Sequence, residues 1–183
     1  SGFFGGKVDQ IIQRIADTIM AFPGLVFLIA AVSVLGAGGN LVKTFLAIGI
    51  LLWPGENRVV RSTVLAIKQN AYIEAARAIG ATNQRILLRH ILPNVAPIVI
   101  IVASIAIGGA ILLDASLGFL GLGTVYPRAS WGGMLSSGGR TYMKQAPWLA
   151  LAPGFAISIA VWSFNMFGDA MRDALDPRMR GSR

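Results

Sequence analysis

The 183-residue chain contains no cysteine and one histidine, His90, and only 13% of its residues are charged. Without cysteine there are no disulfides and no thiolate sites, although the absence identifies no compartment. A lone histidine with no paired ligand is better read as a helix-end residue than as a metal ligand. Asp169, Asp173 and Asp176 are interleaved with Arg172 and Arg178, which fits a solvated helix end better than a metal cluster. No GxxxxGK[ST] phosphate loop is present. No nucleophile–base pair stands out, so a membrane enzyme has almost no support. A soluble domain carries roughly 25% charged residues. Here 55% of residues are hydrophobic and the mean hydropathy is +0.66.

The charges are also segregated. None occurs from Thr18 to Val42, from Ile91 to Leu113 or from Gln145 to Gly168. A helix crossing about 30 Å of hydrocarbon takes about 20 residues, and each run is long enough. A fourth run, Thr44 to Gly55, reaches that length only with Leu41 and Lys43 at one end and Val59 and Val60 at the other, their flanking charges snorkelling. Spans are therefore expected at 18–35, 41–60, 95–113 and 147–168. The segment from Glu56 to His90 carries Glu56, Arg58, Arg61, Lys68, Glu74, Arg77, Arg85 and Arg89. Burying them at the bilayer centre would cost on the order of 20 kcal/mol, so this stretch stays in water.

A net charge of +8 raises the question of nucleic acid. Topology explains it better: with 56–90 and both chain ends on the cytoplasmic side, twelve of the sixteen Lys and Arg lie there, and only Lys43, Arg128, Arg140 and Lys144 lie outside. No nucleic-acid partner is expected; membrane lipid is.

Ahead of the first span, Val8, Ile11, Ile12, Ile15 and Ile19 share one helical face and Lys7, Asp9, Gln13, Arg14 and Asp17 the other. This predicts an interfacial amphipathic helix over 7–17, entered by a turn at Gly5-Gly6. Pro23-Gly24 predicts a kink or a helix start. A turn is expected at Gly36-Ala-Gly-Gly39, and a bend at Trp53-Pro54-Gly55 that is either a plain kink or a hinge. The 116–146 stretch reads as external or re-entrant. Its SLGFLGLG run permits close packing or a simple tight turn, with Trp131 and Trp148 as interface anchors. The 169–183 stretch reads as a cytoplasmic tail. Asp114, at the outer end of the third span, is a candidate gate or path residue, or a structural cap. The chain opens on Ser and its first twenty residues lack the small-residue cleavage site of a signal peptide, which suggests a fragment.

The most informative stretch is EAARAIGATNQRILLRHILP, Glu74 to Pro93. Asn70 can cap a short helix in which Glu74 sits near the positive end and within reach of Arg77. Gly80 suits the left-handed position that stops it, Thr82 can cap a second helix running to Leu92, and Pro93 with Asn94 marks re-entry to the membrane. Ala75, Ala76, Ala78 and Ala81 thin the surface, while Ile73, Ile79, Ile86 and Leu87 supply apolar anchors. The 68–92 segment thus reads as a cytoplasmic element built to dock into a partner's groove.

The EAA triplet, Gly80 and the ILP at Ile91–Pro93 resemble the EAA motif of permease subunits from binding-protein-dependent ABC importers. FFGGKVDQIIQRIAD, AFPGLVFLIA, WPG followed by RVVR, RHILPN, DASLGFLGLG, SWGGML, APWLALAPG and GDAMRDALDP narrow the likeness to the second permease subunit of the dipeptide/oligopeptide group, whose relatives also handle nickel and glutathione. The resemblance covers nearly the whole chain. It implies an all-α polytopic transmembrane bundle, one domain over 1–183, with about four of the family's six spans present. Glu56-Asn57 stands where the family more often has an aromatic-Ala pair. The resemblance further implies that Glu74, Ala75, Ala76 and Gly80 form the core of an ATPase-coupling loop, with Arg77 and Ala81 as contacts. Expected partners are a homologous permease subunit, two ATPase subunits that bind ATP and Mg, and an extracytoplasmic solute-binding protein. No cofactor is expected on this chain, and the location implied is the bacterial inner membrane. An ion-gradient-driven carrier or channel is the alternative, disfavoured because ionisable residues are nearly absent from the spans.

Overall fold

The computed structural model describes residues 1–36, 40–124 and 127–175. Among these the architecture is all helix. An amphipathic helix α1 (Gly6–Met20) meets a short apolar helix α2 (Gly24–Val34) at an angle of 97°. Pro23 stands at the start of α2, where its fixed φ is suited to a helix N-terminus and its missing N–H costs nothing. The sequence-based span at 18–35 is therefore divided: Thr18–Met20 belong to α1, and the apolar helix begins after the proline. Helix α3 (Leu41–Lys68) follows, started by Asn40, whose side chain accepts from the Lys43 N–H. It runs through Pro54 to Lys68, beyond the 41–60 expectation, so the bend region lies inside one continuous helix. Of the Gly36–Gly39 turn, residues 37–39 lie outside the described residues.

Helix α4 (Ala71–Ala78) is short. Helix α5 then runs unbroken from Asn83 to Phe119, with a single π turn at Leu87–Ile91. A helical segment over 131–142, here α6, precedes α7 (Trp148–Leu175). Helices α5 and α7 are long and apolar enough to cross a membrane, and the bent α1–α2 pair makes a third candidate. Helix α3 has the length, but Lys43 at one end and Glu56, Arg58 and Arg61 at the other confine its uncharged part to Thr44–Gly55. The expected tail is helical as far as Leu175; Asp176, Pro177 and Arg178 lie outside the described residues.

Two clusters hold the helices together. Leu28 and Val32 of α2, Ala47 and Ile48 of α3 and Leu117 of α5 form one. The other lies under the 70–92 loop and is described below. Helices α5 and α7 pack through small residues, as helices in lipid do when dispersion rather than water drives association. Gly108 faces Val161 and Asn165, and Gly168 faces Ser104 and Ile105. Beyond α5 the backbone of Gly132 lies directly against the carbonyl of Ala115, and a Cβ on Gly118 would stand 2.9 Å from Gly132 Cα. The SLGFLGLG run is thus a close-packing device: helix as far as Phe119, then a turn at Gly121 (φ 80°) that seats α6 on the end of α5. Large apolar side chains such as Trp148, Phe155, Ile159 and Trp162 are exposed along α7, as a surface against hydrocarbon requires.

Candidate functional site

The loop between α3 and α5 is a folded element. Helix α4 begins after Asn70, whose side chain makes no cap; the backbone supplies it, Ile73 N–H donating to Asn70 O at 2.9 Å. The helix ends in a Schellman motif. Gly80 (φ 81°) donates to Arg77 O at 2.9 Å, and Ala81 N–H reaches back to Ala76 O at 3.0 Å. A side chain at this φ would cost roughly 1–2 kcal/mol, which is why glycine stands here. Thr82 then starts α5, its Oγ1 accepting from Arg85 N–H at 3.4 Å.

One side of this element is committed to its own chain. Ile73 and Ile86 have no exposed surface, and Ala76, Ile91, Val95, Val64 and Phe3 complete the same cluster, with Ala81 and Leu87 partly buried against it. Of the four apolar anchors read from sequence, only Ile79, 86% exposed, is open to a partner. Ala76 likewise faces inward, whereas Glu74, Ala75, Arg77 and Gly80 are exposed. Glu74 and Arg77 form no ion pair with each other; among the described residues the ion pairs are Arg58–Asp17 and Arg61–Asp9. Between α4 and the start of α5 lies a groove of about 440 Å³, walled by Tyr72, Ala75, Ile79, Arg85, Arg89 and His90. The His90 ring lies 6.3 Å from that of Tyr72.

The helix end expected at Leu92, just before Pro93, is absent, for a local reason. Ahead of the proline the helix widens, Leu92 N–H reaching Leu87 O five residues back, and the Asn94 side chain donates to His90 O at 2.6 Å. The π turn makes room for the ring, and the amide supplies a donor in the turn where proline has none. The far wall of the loop and the span beyond it are consequently one helix.

Sequence reasoning missed a third participant. Phe3 is buried in the loop cluster, the Lys68 ammonium donates to Phe3 O at 2.8 Å, and Arg61 grips Asp9 with two bonds, Nε to Oδ1 at 2.8 Å and Nη2 to Oδ2 at 2.6 Å. The Arg61 guanidinium holds the Asp9 carboxyl below its ordinary value of 3.8, and Asp9 raises Arg61 in return. The available signal was two acids, Asp9 and Asp17, on the polar face of α1 and two arginines, Arg58 and Arg61, on α3. Asp114, far from the loop, borders a cleft of about 310 Å³ with Phe45, Ile107, Ile111 and Trp131.

Helices sized for a bilayer and small-residue helix contacts define a class: a multi-pass membrane protein, here with a folded, charged elbow whose outer face is open. The comparison with known proteins narrows it. The chain belongs to the family of inner membrane components of binding-protein-dependent transport systems, whose model matches residues 1–181. It is 44% identical over 180 residues, 98% of its length, to a dipeptide transport system permease protein of Alkalihalophilus pseudofirmus. Likewise it is 41% identical over 180 residues to an oligopeptide transport system permease protein of Haemophilus influenzae. A glutathione transport system permease protein of Escherichia coli is 43% identical over 179 residues. The chain spans 58%, 57% and 58% of these relatives, respectively.

Proposed function

We propose that this chain is the larger part of a permease subunit of an ATP-driven importer in the bacterial inner membrane, lining part of a path for peptides. Its family membership and the peptide or glutathione transport named for its relatives support the substrate class. One observation carries the mechanism: the loop is packed against its own chain on one side, open on the other, and continuous with a membrane helix. Glu74, Ala75, Arg77, Gly80 and Ala81 meet an ATPase subunit, and Ala76 supports them from beneath. Because α5 does not break at Pro93, displacement of its first turn moves the span as a rigid body. Two ATPase subunits bind and hydrolyse ATP with Mg; this chain holds no cofactor. A homologous permease subunit completes the path, and an extracytoplasmic binding protein delivers substrate. The bias of basic residues supports a cytoplasmic position for the loop and both ends of this segment. Asp114 stands on the wall of the outer part of the path. A shift between inward-open and outward-open states requires contacts that differ between them, and the exposed face of α4 supplies them.

Uptake and ATP turnover in the full transporter reconstituted in vesicles, offered dipeptides, oligopeptides and glutathione, test this. Glu74→Lys and Gly80→Trp should abolish coupled uptake while the complex still assembles. Undiminished substrate-stimulated turnover in both variants counts against the coupling role. Uptake that survives without ATP and collapses with an ionophore identifies a gradient-driven carrier instead.

A further inference from the structure

Everything that joins α1 to the rest of the chain's aqueous end converges on one place. The strap ahead of it, Ser1–Phe4, is pinned at three points. Phe3 is 7% exposed, within the cluster that supports Ile73, Ala76 and Ile86 of the loop. The Phe3 carbonyl accepts from Lys68, the last residue of α3 before the loop. Gly2 lies so close to α3 that a Cβ there would stand 3.2 Å from Arg61 O. Gly5 and Gly6, at φ 65° and 56°, then turn the chain into α1. Helix α1 carries its own attachments, Asp9 to Arg61 by two bonds and Asp17 to Arg58 at 2.7 Å.

These acids lie on the polar face, so α1 is held to α3 by its charges while Val8, Ile11 and Ile15 stay exposed. A helix so oriented, set at 97° to α2, leaves its apolar side free, the arrangement suited to an interfacial helix. Its other end is the Pro23 elbow. From the underside of the loop the contacts run through the buried Phe3 and the bidentate Asp9–Arg61 pair to the single exposed Asp17–Arg58 bond, and the α1 helix carries on from there toward the elbow. A bidentate guanidinium–carboxylate pair fixes orientation as well as distance.

From this we infer that the coupling loop drives two apolar helices: α5 directly, and α2 through Phe3, the Asp9–Arg61 pair and α1. Phe3, Asp9 and Arg61 are positioning residues of transport. The inference rests on the reading of the loop as the site that receives motion, and adds to it a second route by which that motion reaches the membrane.

Uptake, ATP turnover and subunit yield of the full transporter in vesicles decide it. Phe3→Ala should assemble and hydrolyse ATP normally but lose roughly tenfold in substrate moved per ATP. Asp9→Arg and Arg61→Asp should each uncouple, and the double exchange should restore coupling, an outcome that loss of fold alone does not produce. Coupled uptake in intact Phe3→Ala complexes, or no recovery in the exchange, overturns the inference. Should Phe3→Ala fail to assemble, a cysteine pair decides. In this cysteine-free chain Gly2→Cys with Val64→Cys places two Cβ atoms about 3.3 Å apart, close to disulfide range. A strap that travels with α3 and the loop tolerates the oxidised bond; loss of uptake on oxidation, restored by reductant, overturns it. If Glu74→Lys is itself silent, the loop reading fails first; if Glu74→Lys uncouples and Phe3→Ala does not, only the second route fails.

Discussion

The side-chain amide of Asn94 donates to the carbonyl of His90 at 2.6 Å, across the turn in which Pro93 offers no N–H. This bond and the π turn before it keep a 37-residue helix whole through a proline. They make the outer wall of the 70–92 loop and a membrane span one body.

Asn94→Ala should therefore weaken the joint without destroying it. Loss of one such bond costs about 0.5–1.5 kcal/mol. Leu92→Gly, at an exposed position beside the π turn, should add about 1 kcal/mol of helix cost and real bending freedom. Substrate moved per ATP should fall in the order wild type, Asn94→Ala, Leu92→Gly, with the ATPase subunits still bound on co-purification.

At Gly80 the penalty is conformational, since the position is left-handed and nothing stands within 4 Å of a built Cβ. Gly80→Asn should be mildest, because Asn tolerates this region. Gly80→Ala should cost roughly 1–2 kcal/mol and Gly80→Val more. Thermal unfolding of the purified subunit should follow that order, and so should uptake.

At Gly132 the penalty is steric, because any Cβ there collides with the backbone of Ala115, its carbonyl oxygen first. Gly132→Ala should destabilise the seat of α6 on α5 by about 1–3 kcal/mol. Limited proteolysis should then open the 127–146 stretch while leaving the 70–92 loop protected.

The Asp9–Arg61 pair sets an acid limit. Asp9 is held below 3.8, so its contribution is fully present above that ordinary value and is lost only as pH falls through the lowered one. The difference in thermal stability between wild type and Asp9→Asn should stay constant from neutral pH down to about pH 5, then close in stronger acid. A difference that closes already between pH 7 and 6 would falsify the assignment to this carboxylate.

Much of this was legible without coordinates. Charge gaps located the apolar helices, the spacing of Val8, Ile11 and Ile15 showed the amphipathic helix, and Gly80 and Thr82 named the stop and start of the loop's helices. These are local properties, settled by φ preference, capping and hydropathy over a few residues. Contacts between residues distant in sequence were not legible. Nothing in IEAARAIGA tells that Ile73 and Ala76 face inward while Ile79 faces out, because that depends on Val64, Ile86 and Phe3 arriving beneath them. Pro93 reads as a helix end until the Asn94 amide and the π turn are seen to absorb it. The pairing of Asp9 with Arg61, 52 residues apart, needed α1 laid on α3. Sequence alone determined that the chain is a helical membrane protein with a charged elbow between apolar helices, since hydration and backbone preference act residue by residue. Tertiary structure decided which side of the elbow is free and what it is fastened to, since packing is a property of pairs.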